Sequence, residues 1–290
     1  MPVHNGASLL RESLECLRAQ DYEDFEVVIS DNASTDETEE ICTEFVERDS
    51  RFRYLRHSEN IGLLANFRGL LDMTEAPLFM WRAYDDLSDS NYISELVSLF
   101  DQDSGTRLAV PKIRLLNISG APDENWECRL HPYQSVSGGR SKVLDIAQEM
   151  FHSPPNWSYG LWDRAYLADE QSRVNAAYPY PWASDDLVLF PPILDRAIRG
   201  SNSTCFTQRF TSRSHQLPET RVLRDLRVKF VRKCRSDIAR RKWSPSEWIL
   251  LQTLLPRYCD VRTQTHSRAS RLKPVRRLLL RRLCNKLSSS

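Results

Sequence analysis

Two pairs of adjacent aspartates are the residues in this sequence whose chemistry stands out. Asp85 and Asp86 close the segment PLFMWRAYDDLS, and Asp185 and Asp186 lie within PWASDDLVLF. Neighbouring carboxylates repel each other when both are ionised, which is their ordinary state at neutral pH. A divalent cation converts that repulsion into attraction, and a single carboxylate can accept the proton of a hydroxyl group. Each pair is therefore a candidate metal-binding or general-base site.

Each pair also has a purely structural interpretation. Asp85 and Asp86 fit a solvated turn in which one carboxylate caps the next helix. Asp185 and Asp186 fit a helix N-terminus, where the helix dipole favours negative charge. The elements around the pairs and the residues that accompany them must decide between these interpretations.

Strand-like and helix-like segments alternate over the first hundred residues. The apolar residues of the first segment recur at helical spacing, at Leu9, Leu10, Leu14 and Leu17. FEVVIS at 25–30 is typical of a buried strand, and APLFMWRAYDD at 76–86 predicts a further strand. This alternation predicts an α/β fold with a mostly parallel central sheet flanked by helices, which binds ligands at the carboxyl ends of its strands. Asp31, in SDNASTD, and the first aspartate pair both follow predicted strands. We therefore expect them to face one crevice.

Charge is distributed unevenly along the 290 residues. The net charge is +1, but residues 221–290 hold 20 Lys and Arg against 4 Asp and Glu, so this segment carries +16 and the rest of the chain −15. Such asymmetry favours a basic, helical C-terminal segment with its own partner. A nucleic-acid partner is disfavoured because the acidic body would repel it.

The end of the basic segment, RLKPVRRLLLRRLCNKLSSS, combines cations with apolar residues at helical spacing. The apolar positions are Leu272, Val275, Leu279, Leu283 and Leu287. The pattern fits an interfacial helix drawn to an anionic membrane surface, and it equally fits a packed or solvated tail.

Composition narrows the cellular setting. No apolar run approaches the roughly 18 residues of a membrane span, and MPVHNGASLL lacks the features of a secretory signal. The seven cysteines are scattered without a CxxC pair, which favours reduced thiols and indicates no zinc site. We expect a cytoplasmic protein whose membrane attachment, through the tail, would be peripheral and at the inner face.

Several segments, taken in order, resemble the family 2 glycosyltransferases, which have the GT-A fold. They are PVHNG, VVISDNASTDET, RHSENIGLLANF and FMWRAYDDL, followed by NWSYGLWDR and PWASDDLVLF. The resemblance is close over residues 1–100 and looser over 150–220. It implies a GT-A domain over 1–220, with a nucleotide-sugar-binding half at 1–100 and an acceptor half at 101–220. Residues 221–290 would then form the basic helical extension.

The resemblance implies a site for a nucleoside diphosphate sugar, with UDP as the expected nucleotide. Asp31 resembles the carboxylate that accepts a hydrogen bond from the base, and the uracil imide N–H is a suitable donor. Asp85 would contact the ribose or a water bound to the metal. The other residues that we expect at the nucleotide sugar are Pro2, Val3, Asn5, Asn60 and Gly62.

The resemblance also implies a divalent metal, Mg²⁺ or Mn²⁺, which offsets the charge of the leaving diphosphate. Asp86 is the expected direct ligand, and His215 in SRSHQ resembles a histidine that completes the coordination. Tyr84 departs from the family pattern, which often has an acidic residue at that position. A tyrosine cannot replace a carboxylate as a ligand of a hard cation at neutral pH.

The second aspartate pair resembles the late acidic motif whose carboxylate acts as general base. The spacing of DLVLF favours Asp185, whereas the usual acidic pair favours Asp186, so both remain candidates. Gly160, in the loop before this motif, would allow a ligand to approach the backbone closely. Six aromatic residues, which would be plain core or a platform for a sugar ring, surround this region: Trp157, Tyr159, Trp162, Tyr178, Tyr180 and Trp182.

The expected activity is inverting transfer of a sugar to the hydroxyl group of a glycan, a lipid-linked molecule or another acceptor, in polysaccharide or glycan biosynthesis. The alternative is a catalytically silent nucleotide-sugar-binding or scaffold protein with the same fold. A nucleotidyltransferase is disfavoured, because PVHNGASLL has one glycine and no lysine where a phosphate-binding loop would be expected. The sequence starts inside the expected first strand, and we expect a form that begins further upstream to be more stable.

Overall fold

A computed structural model describes residues 1–118, 127–130, 142–210 and 220–263. Helices and short strands alternate through these residues, as the sequence predicts for its first hundred. A 3₁₀ helix, Pro155–Tyr159, lies before the eighth strand. In chain order the elements are β1 (Pro2–Val3), α1 (Ala7–Arg18), β2 (Val27–Asp31), α2 (Thr38–Arg48), β3 (Phe52–Arg56), α3 (Leu63–Asp72), β4 (Leu78–Phe79), β5 (Leu87–Ser88), α4 (Tyr92–Gln102), β6 (Leu108–Asn117), β7 (Glu127–Leu130), α5 (Lys142–His152), β8 (Leu161–Asp163), α6 (Arg164–Ala177), α7 (Ser184–Asp195), β9 (Ile198–Phe210), α8 (Thr220–Ala239) and α9 (Pro245–Arg262).

Strands β1, β2 and β3 form a sheet in which both pairings are parallel. Strand β2 is buried along its whole length, in agreement with its β-branched run. Helix α1 buries Leu10, Leu14 and Leu17 of the predicted apolar face, whereas Leu9 is half-buried. In this register Val3 pairs with Asp31, so the carboxyl ends of β1 and β2 meet at one edge.

A second, six-stranded sheet has the order β4-β8-β6-β9-β5, with β7 paired to β6. Only β6 and β9 pair in parallel, and the other pairings are antiparallel. The register between β6 and β9 shifts between Val110 and Lys112, at Pro111, which has no N–H to donate to the ladder. The alternation of strands and helices did not predict this mixed sheet, because the middle of the chain has no regular periodicity.

The predicted strand at 76–86 is shorter in the structure. Only Leu78–Phe79 is paired, and Tyr84 and Asp85 form a turn before β5. The buried side chain of Arg82 donates from Nη2 to the Asp86 carbonyl oxygen at 2.9 Å, and this hydrogen bond stabilises the turn. The first aspartate pair therefore lies on a turn between two strands of the second sheet.

The described part of the chain packs around two hydrophobic clusters. The smaller one lies under the parallel sheet and includes Leu10, Ile29 and Phe45. The larger one surrounds the second sheet, and Phe230 of α8 and Tyr258 of α9 belong to it. Helices α8 and α9 thus share a core with the residues before them, and the domain limit at 220 stays a prediction. None of the helices described is both long and apolar enough to cross a bilayer.

Glu149, on α5, is an acidic residue buried against the larger cluster. Its side chain is 8% exposed, and its Oε2 atom has no hydrogen-bond partner. Burial raises the pKa of Glu149 to about 8, an effect that Arg199 and Arg196 oppose and Asp145 assists. Folding therefore favours the protonated acid. The stability that this group supplies at low pH is lost as the pH rises from the ordinary pKa of 4.5 towards 8.

We predict that Glu149→Gln, which keeps the neutral form, stabilises the protein by about 3 kcal/mol near pH 9 and has little effect near pH 4. Urea unfolding at the two pH values measures the difference. Glu47→Gln on the exposed face of α2 is the control and should change nothing at either pH. A variant that is no more stable than the wild type near pH 9 would contradict the burial argument.

Candidate functional site

A cleft of about 1030 Å³ lies at the carboxyl end of the parallel sheet. Its walls come from the end of β1, the loop before α3, the turn that carries the first aspartate pair, the 3₁₀ helix and the end of β9. A volume of this size accommodates a small-molecule ligand. The residues of the cleft used below are Pro2, Val3, Asn32, Asn60, Tyr84, Asp85, Asp86, Tyr159 and Arg209.

We call the turn that carries Asp85 and Asp86 the acidic turn. Arg209, near the end of β9, connects this turn to helix α1. Its backbone N–H donates to Asp86 Oδ1 at 3.1 Å. Its guanidinium donates to the Asp85 carbonyl oxygen, to the Glu12 carboxylate and, at 3.2 Å, to the Leu9 carbonyl oxygen. No local sequence pattern marks Arg209 as a site residue, because its side-chain and backbone partners lie more than a hundred residues away.

Asp86 carries a buried carboxylate that is only partly satisfied. Burial, followed by the negative charge of Asp85, raises the pKa of Asp86 to about 7, and Arg82 and the Arg209 N–H act in the opposite direction. Its Oδ2 atom is buried and has no hydrogen-bond partner. Asp85 is half-buried in the cleft wall, and burial raises its pKa as well. The turn thus presents one orphaned carboxylate oxygen beside a second carboxylate.

Tyr84 fills the space between the acidic turn and the loop after β1. A Cβ atom on Gly6 would lie 2.7 Å from Tyr84 Cδ2 and 2.6 Å from Val3 Cγ2, so only glycine fits beneath the ring. Burial raises the pKa of Tyr84, and the nearby charge of Asp85 adds to the shift, which keeps the side chain a neutral phenol. Tyr84 therefore packs the turn against β1. Because it is a neutral phenol, the turn supplies only the carboxylates of Asp85 and Asp86.

Asp31 lies behind the wall of the cleft. Its side chain is fully buried, and Oδ1 accepts from Ser34 N at 2.9 Å and from Ser34 Oγ at 2.5 Å. Oδ2 accepts from Tyr54 Oη at 2.6 Å, with Arg56 Nε 3.8 Å away. The adjacent Asn32 is the residue of this strand end that lines the cleft. The contact of Asp31 with a base stays a prediction, since these partners occupy most of its acceptor positions.

Asn60 and Asn32 join two loops at the mouth of the cleft. Asn32 Nδ2 donates to Asn60 Oδ1 at 2.9 Å, and the same oxygen accepts from Gly62 N at 2.9 Å. Asn60 Nδ2 lies 3.3 Å from His4 Nε2. Gly62 has a φ of 86°, a left-handed conformation that favours glycine, and a Cβ atom added there would meet no atom within 4 Å.

The residues of β1 and of the loop after it that we expect at the nucleotide sugar have two different positions. Pro2 and Val3 line the cleft. Asn5, at a φ of 51°, turns its Oδ1 to the loop after β2 and accepts from Thr35 N at 2.8 Å. Asn5 thus ties two loops together, and a contact between its side chain and a nucleotide stays a prediction.

Asp185 and Asp186 lie in the first turn of α7, after Ala183 in a left-handed conformation. Asp186 is buried, and its Oδ1 lies 3.1 Å from Arg262 Nη1 of α9. Tyr258 Oη donates to the Asp186 carbonyl oxygen at 3.2 Å. Burial raises the pKa of Asp186 to about 7 against the opposing charge of Arg262. Helix α9 therefore holds the residue in place.

Asp185 differs from its neighbour in that its side chain is exposed. The protein that surrounds this position reduces the hydration of the charged form and raises the pKa of Asp185 to about 6. Tyr159, which lines the cleft, has its pKa raised mainly by burial and further by the charges of Asp185, Asp86 and Asp85. Asp185 is thus the accessible carboxylate of its pair, and both pairs lie within electrostatic reach of one cleft residue.

The sequence suggests that Gly160 allows a ligand to approach the backbone, but the structure shows a different reason for this glycine. A Cβ atom at this position would overlap the Ala109 carbonyl oxygen, so the glycine admits the backbone of β6 rather than a ligand. Trp157, Trp162 and Tyr178 are fully buried and belong to the core. Tyr159 faces the cleft and stacks on Phe206 with ring centroids 5.4 Å apart.

The described residues include few groups that could bind a metal ion. His215 lies outside the described residues, and within those described no three or more His, Cys, Asp or Glu side chains are grouped to hold a metal ion. The orphaned Oδ2 of Asp86 and the adjacent Asp85 are the groups whose chemistry fits a hard cation.

Comparison with known proteins confirms the resemblance seen in the sequence. Residues 1–134 match the family model described as Glycosyl transferase family 2. Glycosyltransferase GlyA of Streptococcus pneumoniae serotype 4 is 33% identical over 96 residues, which are 33% of this chain and 14% of GlyA. The chain therefore spans only a small part of that relative.

Two groups of solved structures share the fold. S. aureus TarS 1–349 in complex with UDP-GlcNAc aligns with a TM-score of 0.52 and 19% identity, covering 79% of this chain and 65% of TarS 1–349. Mannosyltransferase PcManGT from Pyrobaculum calidifontis, in complex with GDP-Man and Mn²⁺, aligns with a TM-score of 0.52 and 14% identity, covering 89% and 67% of the two chains. The GT-A fold is thereby confirmed.

The ion pair between Arg262 and Asp186 generates a prediction about stability. Arg262→Leu leaves a buried carboxylate without its counter-charge, and we expect it to cost about 3 kcal/mol at neutral pH. Adding Asp186→Asn should restore part of that stability, as measured by urea unfolding. An equal loss in the single and double variants would show that Arg262 acts only through the Met150 and Ser153 carbonyl oxygens, to which it also donates.

Proposed function

We propose that this protein is a glycosyltransferase that moves a sugar from a nucleoside diphosphate sugar to an acceptor hydroxyl. The observation that carries the proposal is the cleft itself, where the acidic turn forms one wall and Tyr159, within reach of Asp185, forms another. The acceptor would be a glycan, a lipid-linked molecule or another hydroxyl compound, in polysaccharide or glycan biosynthesis at the cytoplasmic face of a membrane.

The donor would lie across the carboxyl ends of β1 and β2. Pro2, Val3, Asn32 and Asn60 offer apolar and amide surfaces where a base and ribose would fit, and UDP is the nucleotide that we propose. The structures with the same fold carry UDP-GlcNAc and GDP-Man, which supports this class of donor. Asp31 orders the loop through Ser34 and Tyr54, and its remaining acceptor capacity would be available to the base.

The diphosphate would lie beside the acidic turn. Asp86 would hold Mg²⁺ or Mn²⁺ through its orphaned Oδ2, and Asp85 would bind the ribose or a water on the metal. When bound, the cation would offset the charge that develops on the leaving diphosphate. Arg209 and Arg82 keep the two carboxylates in place, and Tyr84 packs the turn against β1.

Asp185 would act as the general base, because it is exposed while Asp186 is paired with Arg262. It would take the proton of the acceptor hydroxyl as that oxygen bonds to the anomeric carbon. The bond from that carbon to the diphosphate oxygen would break on the opposite face, which inverts the configuration. Asp186 would position the start of α7.

A catalytically silent nucleotide-sugar-binding protein is the second candidate. The observation in its favour is Tyr84, a neutral phenol at the position where the family often has a carboxylate that could help to hold the metal. The two candidates differ in turnover and not in donor binding, so the experiments below separate them.

We predict that Mn²⁺ strengthens the binding of UDP to the wild-type protein. Asp86→Asn should remove this effect, because Asp86 Oδ2 is the proposed ligand of the Mn²⁺ ion. Calorimetry of UDP binding with and without Mn²⁺ gives the measurement. Asp89→Asn, an exposed aspartate three residues further on, is the matched control and should bind as the wild type does. UDP affinity that is the same with and without Mn²⁺ would contradict the metal site.

We predict that Asp185→Asn lowers the rate of sugar transfer about 100-fold or more while donor binding stays unchanged. In the wild type the rate should fall as the pH drops below about 6, because the base must be deprotonated and the surrounding protein, which reduces its hydration, raises its pKa to about 6. Asp169→Asn on the exposed face of α6 is the control. Full activity of Asp185→Asn, or no acidic limb near pH 6, would rule out this assignment.

A further inference from the structure

The corner between α8 and α9 exposes large apolar side chains. Trp248 is 41% exposed and Ile249 is 65% exposed. Together with Lys242, Trp243 and Pro245 they line one open surface hollow, which we call the α8–α9 corner. Of the ten large apolar residues that are exposed in the described part of the chain, Trp248 and Ile249 are adjacent and line the same hollow, and Ile249 is the most exposed after Leu63. The corner is therefore an exposed apolar surface.

Local helix structure accounts for only part of this surface. Ser244 caps α9 in a capping box with Glu247, and Trp243 and Trp248 occupy the two positions of a hydrophobic staple. A staple explains why apolar residues occur at these two positions, but it does not require Trp248 to stay 41% exposed. Ile249 belongs to neither motif. The exposed apolar surface is thus larger than the start of α9 requires.

Cations surround the apolar residues. The Lys142 ammonium lies 4.8 Å from the centre of the Trp243 ring, and no ion pair of Lys242 occurs among the residues described. Arg241, by contrast, is paired with Asp195. Residues 220–263, which form the two helices of the corner, contain twelve Lys and Arg and four Asp and Glu, so this part of the chain has an excess of eight positive charges.

We infer that the α8–α9 corner docks on the headgroup region of an anionic lipid bilayer. Trp248 and Ile249 would insert at the level of the headgroups, where an indole ring is well placed between apolar and polar surroundings. Lys142 and Lys242 would contact lipid phosphates while their apolar stems lie along the tryptophans. The complementary charge favours an anionic surface over a neutral one. This inference concerns a surface separate from the cleft and does not rest on the proposed function.

Vesicle co-sedimentation of the full chain tests the inference. The wild type should bind vesicles of phosphatidylcholine with phosphatidylglycerol and should bind pure phosphatidylcholine vesicles weakly. The double variant Trp248→Glu with Ile249→Glu should lower the partition onto the anionic vesicles about tenfold. Val46→Glu with Leu55→Glu, two exposed apolar residues of the N-terminal half, is the matched control and should bind as the wild type does.

A second pair of variants tests the role of charge. Lys142→Glu with Lys242→Glu should weaken binding to the anionic vesicles and reduce its sensitivity to salt. Equal melting temperatures by circular dichroism would show that all variants are folded. Wild-type vesicle binding by the Trp248→Glu, Ile249→Glu variant would overturn the inference. So would a wild-type dimer in solution that this variant dissociates, because the corner would then be an interface between two copies of the chain.

Discussion

The site depends on the burial of one carboxylate, that of Asp86, under the end of β9. Desolvation raises its pKa to about 7, so the charged form is stable only with compensation. Compensation comes from the Arg209 N–H and from the guanidinium of Arg82. The guanidinium of Arg209 also donates hydrogen bonds to the Glu12 carboxylate and to the Asp85 carbonyl oxygen, so the same residue connects α1 and the acidic turn to the second sheet. The shape of the cleft follows from this connection between the two halves.

The two aspartate pairs share one arrangement. In each pair one member is accessible, Asp85 or Asp185, and the other is buried beside an arginine. Asp86 has Arg209 and Arg82, and Asp186 has Arg262 from the end of α9. The buried member orients the turn or the helix start, and in the first pair its Oδ2 atom is also the proposed ligand of the metal. Helix α9, which the sequence places in a C-terminal extension, is by this contact a support of the candidate site.

The sequence predicts those parts of the site that follow from local pattern. The run in β2, most of the apolar face of α1 and the position of the aspartate pairs are visible in spacing and composition. Pro2, Val3 and Asn60 line the cleft, and their contact with a nucleotide sugar stays a prediction. Arg209 and Arg262 are not predictable in this way, because their partners are distant in sequence and an isolated arginine carries no periodic signal. The role of Gly160 is not predictable from the sequence either, because only the structure shows that the backbone of β6 lies where a side chain would be.

The cleft is proposed to bind a nucleoside diphosphate sugar and to transfer its sugar. The release of nucleoside diphosphate from a panel of UDP- and GDP-sugars, with Mn²⁺ and a hydroxyl acceptor present, tests this proposal. We expect release from at least one donor, together with a product of inverted anomeric configuration. Donor binding without release from any donor would favour the silent binding protein. If no donor on the panel binds, both functions of the cleft are contradicted.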